Sequence, residues 1–201
     1  RFGYHRVTRF HYDENYGSRE ANRKHYARIW NLWETNFRED GSVLPPAERD
    51  PKPIVYYLNR QFPGLPDAVP GSVDLLSSAQ SVADQWDAVL VKAAAQAKGL
   101  DEATLRDRIP ACADGGCGDQ GRMFVLCRNN PVAEDDPAVC GPAGTEIRIG
   151  DPRYSMLYWQ ASPQAGAPGG FGPMRTDPIT GEIVSATSYI YGAGYERHAA
   201  Y

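Results

Sequence analysis

Apolar and polar positions recur along this chain at two periods, and each period predicts its own elements. Arg1 to Tyr12 alternates around Phe2, Tyr4, Val7 and Phe10, the two-residue period of a half-buried strand. Ile54-Val55-Tyr56-Tyr57-Leu58 is a continuous β-branched and aromatic run, the mark of a buried strand. Met123–Cys127 and Tyr154–Trp159 read as further short strands. From Ser72 to Lys98 the period becomes helical. Leu75, Leu76, Ala79, Val82, Ala83, Trp86, Val89, Leu90, Ala93 and Ala97 then share one apolar stripe. Ser72 stands where an N-cap is expected and Gly99 where a stop is expected. This phasing assigns Trp86 to the core and puts Asp84 and Asp87 on the solvated side. Leu100 to Ile109 fits a short helical turn. His25 to Trp33 is ambiguous: Tyr26, Ile29, Trp30, Trp33 and Phe37 fit a helix face, yet the stretch is short and aromatic enough for a strand.

Proline and glycine separate these runs. Gly41, Pro45, Pro46, Pro51 and Pro53 mark residues 37–53 as a linker or extended loop, and residues 59–71, 129–150 and 163–173 read as loops. Near the C-terminus, Asp177-Pro178-Ile179-Thr180-Gly181 has the chemistry of a hairpin loop of about four residues. Pro178 presets φ, Asp177 accepts backbone N–H groups ahead of it, and Gly181 takes the left-handed closing conformation. The stretch from Glu182 to Tyr191, rich in Ile, Val, Thr, Ser and Tyr, is the outgoing strand. The order predicts an α+β fold, a twisted mixed sheet covered by one long helix over residues 72–98. The expected organisation is an N-terminal aromatic segment (1–36), a Pro-rich linker (37–53) and a main unit (54–201) with a cysteine-bearing insertion at 110–142.

The 201 residues are 42% hydrophobic, enough for one domain with a core. A net charge of −4 gives no support to a nucleic-acid or acidic-membrane partner, and no apolar run reaches the roughly 18 residues of a membrane span. The chain opens on Arg1 without an initiator Met, and the expectation is a piece of a longer protein. All four cysteines, Cys112, Cys117, Cys127 and Cys140, fall in one loop-like window. An even, clustered set points to disulfides and an oxidising compartment. A four-thiolate zinc site would use two tight pairs, whereas the gaps here are four, nine and twelve residues. Free thiols are the third alternative. Of the three possible pairings, Cys112–Cys117 with Cys127–Cys140 is the most local and is preferred.

Candidate chemistry is sparse. The histidines His5, His11, His25 and His198 include no pair spaced as in His-Glu-x-x-His. There is no Gly-x-Ser-x-Gly elbow, and Pro168-Gly169-Gly170-Phe171-Gly172 lacks the Gly-Lys-Ser/Thr ending of a phosphate loop. Asp151-Pro152-Arg153 reads as a turn that offers Arg153 for a surface salt bridge.

Six segments nevertheless fall in a familiar order. They are Arg28–Trp33, Lys52–Leu58, the helix bearing Ala83-Asp84-Gln85-Trp86-Asp87-Ala88, Gly150–Trp159, Gly170-Phe171-Gly172-Pro173 and Asp177–Ile183. Over roughly residues 25–191 the chain resembles the N-terminal part of the catalytic region of secreted bacterial zinc-dependent metalloproteases with a metzincin-like domain. The most specific element is Asp177-Pro178-Ile179-Thr180-Gly181-Glu182-Ile183, supported by Asp151-Pro152-Arg153-Tyr154.

The resemblance implies an upper subdomain of a zincin, with the zinc helix following the hairpin in the parent protein. Zinc would be the parent's cofactor, and this chain, which ends at Tyr201, would supply no metal ligand and no catalytic residue. The strand after Gly181 would be the sheet edge bordering the cleft. A peptide or protein substrate would pair with it through Ile183, Ser185, Thr187 and Tyr189 or the alternate set. The remainder of the catalytic domain is the other expected partner, and the implied location is secreted, periplasmic or cell-surface. A non-catalytic extracellular binding module, using the twelve tyrosines and four tryptophans, and an assembly domain are the competing readings.

Overall fold

In the computed structural model, which describes residues 5–109, 121–164 and 169–199, the first alternating run forms a two-stranded ribbon. Strand β1 (Arg6–Asp13) pairs antiparallel with β2 (Gly17–Ala27). The ambiguous segment at 25–33 is thus the end of a strand followed by extended chain. Ile29 bridges Glu182, Trp33 bridges Pro51, and Lys52 N donates to Leu32 O at 2.8 Å. The proline-rich stretch is tied down too, for Pro51 is fully buried and Lys98 donates to the carbonyls of Ala47 and Arg49.

The remaining strands build a mixed sheet, so the fold is α+β. β3 (Ile54–Leu58) lies between β4 (Phe124–Cys127) and β5 (Ser155–Gln160), parallel to both. β8 (Ile183–Tyr191) runs parallel to β5 on one side. On its other side it pairs antiparallel with β6 (Gly170–Phe171) and β7 (Met174–Thr176). The spatial order is β4-β3-β5-β8-β6, with β7 also on β8.

α1 (Leu76–Lys98) follows the Pro63–Gly71 loop and ends where the sequence predicts. Gly99 takes φ 69° and returns its N–H to Ala95 O and Gln96 O. The predicted Ser72 cap is not used. The helix begins four residues later, where the Asp74 carboxylate accepts from Leu76 N at 2.8 Å. The phase of the buried face also differs from the predicted stripe. The buried positions are Ala83, Asp87, Val91, Ala94, Ala95 and Lys98, while Val82, Trp86 and Val89 are more than half exposed.

Asp87 decides that phase. Its carboxylate accepts from Met123 N at 2.6 Å and Phe124 N at 3.2 Å, the amides just before and at the start of β4, and pairs with Arg106 at 2.8 Å. Arg106 belongs to α2 (Glu102–Arg106), which is capped by Asp101. Strand-end amides need acceptors once buried, and a helix carboxylate provides them. Asp87 is therefore a core residue and not a solvated one. Asp84 is surface-placed as expected and pairs with Arg122. Next to Asp87, Ala83 packs among Leu58, Phe62, Leu126 and Trp159.

The opposite face of the sheet is covered by the 128–150 loop. Cys127 and Cys140 form a disulfide, and Val132, Cys140 and Ile147 pack with Tyr57, Val125 and Met156. Tyr57 Oη donates to Cys140 O at 3.1 Å. Asn130 exchanges two 2.9 Å bonds with the backbone of Ile147, as a strand neighbour would. Burial and the nearby Tyr154 and Asp136 push the Tyr57 phenol up to about 12. Cys127–Cys140 is the pairing preferred from sequence. Cys112 and Cys117 lie outside the described residues.

Candidate functional site

The Asp177–Gly181 turn forms as its residues dictate. Asp177 Oδ1 accepts from Ile179 N at 2.8 Å and Oδ2 from Thr180 Oγ1 at 2.8 Å. Asp177 N bonds Glu182 O, Gly181 N returns to Asp177 O, and Gly181 closes the loop at φ 82°. A Cβ on Gly181 would stand 2.3 Å from Ala27 O, so glycine is required there twice over. The turn thereby stacks the N-terminal ribbon's exit against the hairpin, where Ile29 and Ile183 exchange backbone bonds with residues of the other segment.

The expected edge position of the outgoing strand does not hold. Ser185, Thr187 and Tyr189 alternate along β8 and a register shift opposite Arg175–Thr176 separates Ile183 from them, but β8 has partners on both sides. Ile183, Ser185 and Thr187 are buried, with Ser185 at 0% exposure. The incoming arm of the hairpin is the outer one, because β5 occupies the other flank of β8 in parallel register. Nothing local to residues 182–191 distinguishes the two arrangements.

The open edge is Gly169–Thr176. Tyr191 N donates to Gly169 O at 3.1 Å and Thr187 N to Pro173 O at 3.0 Å, so those carbonyls face inward. Strand alternation then turns the N–H and C=O groups of Gly170, Gly172 and Met174 outward. Among the described residues no strand pairs with that outer side. Pro173, which has no N–H, sits at an inward position and leaves the outward donors intact.

An aromatic row crosses the sheet to this edge, on the face opposite α1. The ring centroids of Tyr158 and Tyr189 are 5.5 Å apart, and those of Tyr189 and Phe171 are 6.5 Å apart. Tyr191 stacks on Tyr189 at 6.5 Å. Tyr158, Tyr189 and Phe171 occupy matching positions on three neighbouring strands. Phe171, outermost, is 58% exposed.

On the α1 face, a groove of about 270 Å³ lies between helix and sheet. Its walls include Trp30, Tyr56, Trp86, Phe124, Leu126 and Leu157. The exposed faces of Val82 and Trp86 open onto it, so Trp86 is a groove wall and not the core residue that helical spacing implies. Burial pushes the Tyr56 phenol up to about 12, opposed by the Ser188 hydroxyl beside it.

The histidines do not assemble. His11 Nε2 meets Tyr26 Oη at 3.2 Å, and His25 Nδ1 meets Thr8 Oγ1 at 3.0 Å, on opposite faces of the ribbon. Desolvation, with the charges of Lys24 and Arg9, holds His11 below the usual imidazole value. No group of three or more His, Cys, Asp or Glu placed to hold a metal occurs among the described residues. These residues do not fit a zinc site, and no step of metal chemistry is assigned to them. Arg153 closes a surface pair with Asp151, which the guanidinium and its own backbone N–H hold down to about 2. No helix among the described residues is long and apolar enough to cross a membrane.

No family model, curated protein or solved structure matches this chain.

Proposed function

We propose that this chain is the sheet-bearing N-terminal part of the catalytic region of an exported zinc-dependent metalloendopeptidase. It supplies the upper subdomain, a sheet covered by the long helix, and the edge on which substrate is laid out. The zinc ligands and the catalytic base belong to the remainder of the parent's catalytic domain. The observation that carries the reading is the outer side of Gly169–Thr176, with which no strand among the described residues pairs. It is a strand antiparallel to its neighbour, with glycine at two of its three outward positions, and so nothing at those two shields the backbone from an incoming strand. An extended peptide adds to such an edge through main-chain bonds. The substrate-binding role thus moves from Ile183, Ser185, Thr187 and Tyr189 to the backbone of Gly170, Gly172 and Met174.

Two further observations support the reading. The groove along α1 is an apolar face of the kind that marks an interaction site, and the rest of a catalytic domain would fill it. The Cys127–Cys140 disulfide suits an oxidising, secreted or periplasmic location.

The test uses the full-length parent. Met174→Pro removes an outward N–H while leaving the bonds to β8 in place. Peptide cleavage is expected to fall by about tenfold or more, with bound zinc unchanged. A folded variant that cleaves at the unaltered rate would sink the edge assignment. A parent with no zinc and no peptidase activity would sink the enzyme reading. It would leave the second one, a non-catalytic extracellular binding module, which the aromatic row at the edge favours.

A further inference from the structure

We infer that the row Tyr158–Tyr189–Phe171 selects an aromatic side chain at one defined position of the segment added to the Gly169–Thr176 edge. The inference rests on the edge-pairing reading above and adds the chemical class of its ligand.

Registry identifies the position. Phe171 lies opposite Tyr189, and Gly169 O and Pro173 O, two residues to either side of Phe171, accept bonds from β8. The backbone groups of Phe171 therefore point inward, toward β8. A residue of an added antiparallel strand that faces Phe171 sits in a non-hydrogen-bonded pair. In such pairs the Cα atoms approach to about 4.5 Å and the side chains are closest. Both side chains emerge on the face opposite α1, because directly opposed residues share a face.

The added side chain would therefore become the fourth member of a row already three strands wide. The existing spacings, 5.5 and 6.5 Å between centroids, lie in the range favoured by aromatic pairs. Phe171, 58% exposed, is the outermost ring of that row among the described residues. The neighbours on either side of the selected residue would face Gly170 and Gly172. Those positions offer hydrogen bonds but no side chain, so they discriminate little. The edge thus reads one aromatic residue flanked by two residues recognised through their backbone.

The chemistry separates the two components of recognition. An added strand pairs through the N–H groups of the residues flanking the aromatic one. The N–H of the aromatic residue itself points away from the edge. The probes are four fluorescein-labelled octapeptides of one parent sequence, titrated by fluorescence anisotropy against the 201-residue protein. One carries Phe at its centre and one carries Ser there. A third carries the Phe with both flanking nitrogens methylated, and a fourth carries it with only its own nitrogen methylated.

The Phe peptide is expected to bind about tenfold more tightly than the Ser peptide. Flanking methylation should abolish binding, and methylation of the Phe nitrogen should leave it unchanged. Phe171→Ala, a change at an exposed side chain, should shrink the Phe-over-Ser preference to about twofold, while Phe171→Trp preserves it. Flanking methylation without effect, or no binding of any peptide at millimolar concentration, would overturn the edge reading and this inference together. Loss of binding on flanking methylation, combined with equal affinity for Phe and Ser or with an unchanged preference in Phe171→Ala, would overturn the aromatic selection alone.

Discussion

At the scale of single residues, the most consequential side chain is one whose role the hydrophobic pattern conceals. Asp87 stands between exposed Trp86 and the small residues of α1, and residue type alone places it in solvent. Its carboxylate instead caps the start of β4 and pairs with Arg106, so removing it leaves two backbone amides without their acceptor and Arg106 with only the Gly121 carbonyl. Asp87→Ala is expected to cost about 3 kcal/mol, measured by urea denaturation. A loss below about 1 kcal/mol would mean that water replaces the carboxylate at no cost and that the helix is phased by its alanines. Trp86 teaches the complementary lesson. Its spacing from Leu75, Leu76, Ala79 and Ala83 is right for the stripe, yet the stripe is wider than the buried face, and Trp86 falls on the half that borders the open groove.

At the scale of elements, the 128–150 loop behaves as a packing layer that carries no regular strand or long helix. Its polar, proline-containing sequence reads as loop, yet Val132, Cys140 and Ile147 are buried against the sheet. The Cys127–Cys140 bond, closing a separation of 13 residues, anchors the layer to β4. The double variant Cys127→Ala, Cys140→Ala is expected to lose about 3 kcal/mol in the chain-entropy account of such a loop. A loss under about 1 kcal/mol in urea melts would show that Tyr57, Asn130 and the apolar contacts hold the layer by themselves. The hairpin is the opposite case, because its turn is written in five consecutive residues and folds accordingly. Its flanking arms are equally strand-like, and residues 170–191 contain nothing to say which arm meets β5.

At the scale of the molecule, the two faces of the sheet meet at β3, where Tyr56 faces the groove and Tyr57 faces the loop layer. Both phenols are pushed up to about 12, chiefly by burial, whereas tyrosine in the unfolded chain ionises near pH 10. A raised folded pKa means that the native state keeps its protons longer. Stability from this source is complete below about pH 10 and is lost as pH rises through about 12. Alkaline unfolding followed by phenolate absorbance should show Tyr56 and Tyr57 ionising late and together with the loss of the fold. Tyr56→Phe and Tyr57→Phe together should move the alkaline transition to higher pH. An unmoved transition would assign it to other groups. The sequence by itself determined the strand runs at 54–58, 123–127 and 154–159, the helix and its stop at Gly99 and the Asp177–Gly181 turn, and it favoured the Cys127–Cys140 pairing as the most local. Each of these rests on neighbours within a few residues or on short loop closure. Tertiary structure alone decided the rotation of α1 about its axis, the burial of the 128–150 loop and the placement of β8 inside the sheet with Gly169–Thr176 at its rim. Those outcomes depend on pairings between residues far apart in the chain, Asp87 with Met123 and Met156 with Thr187, which no local period encodes.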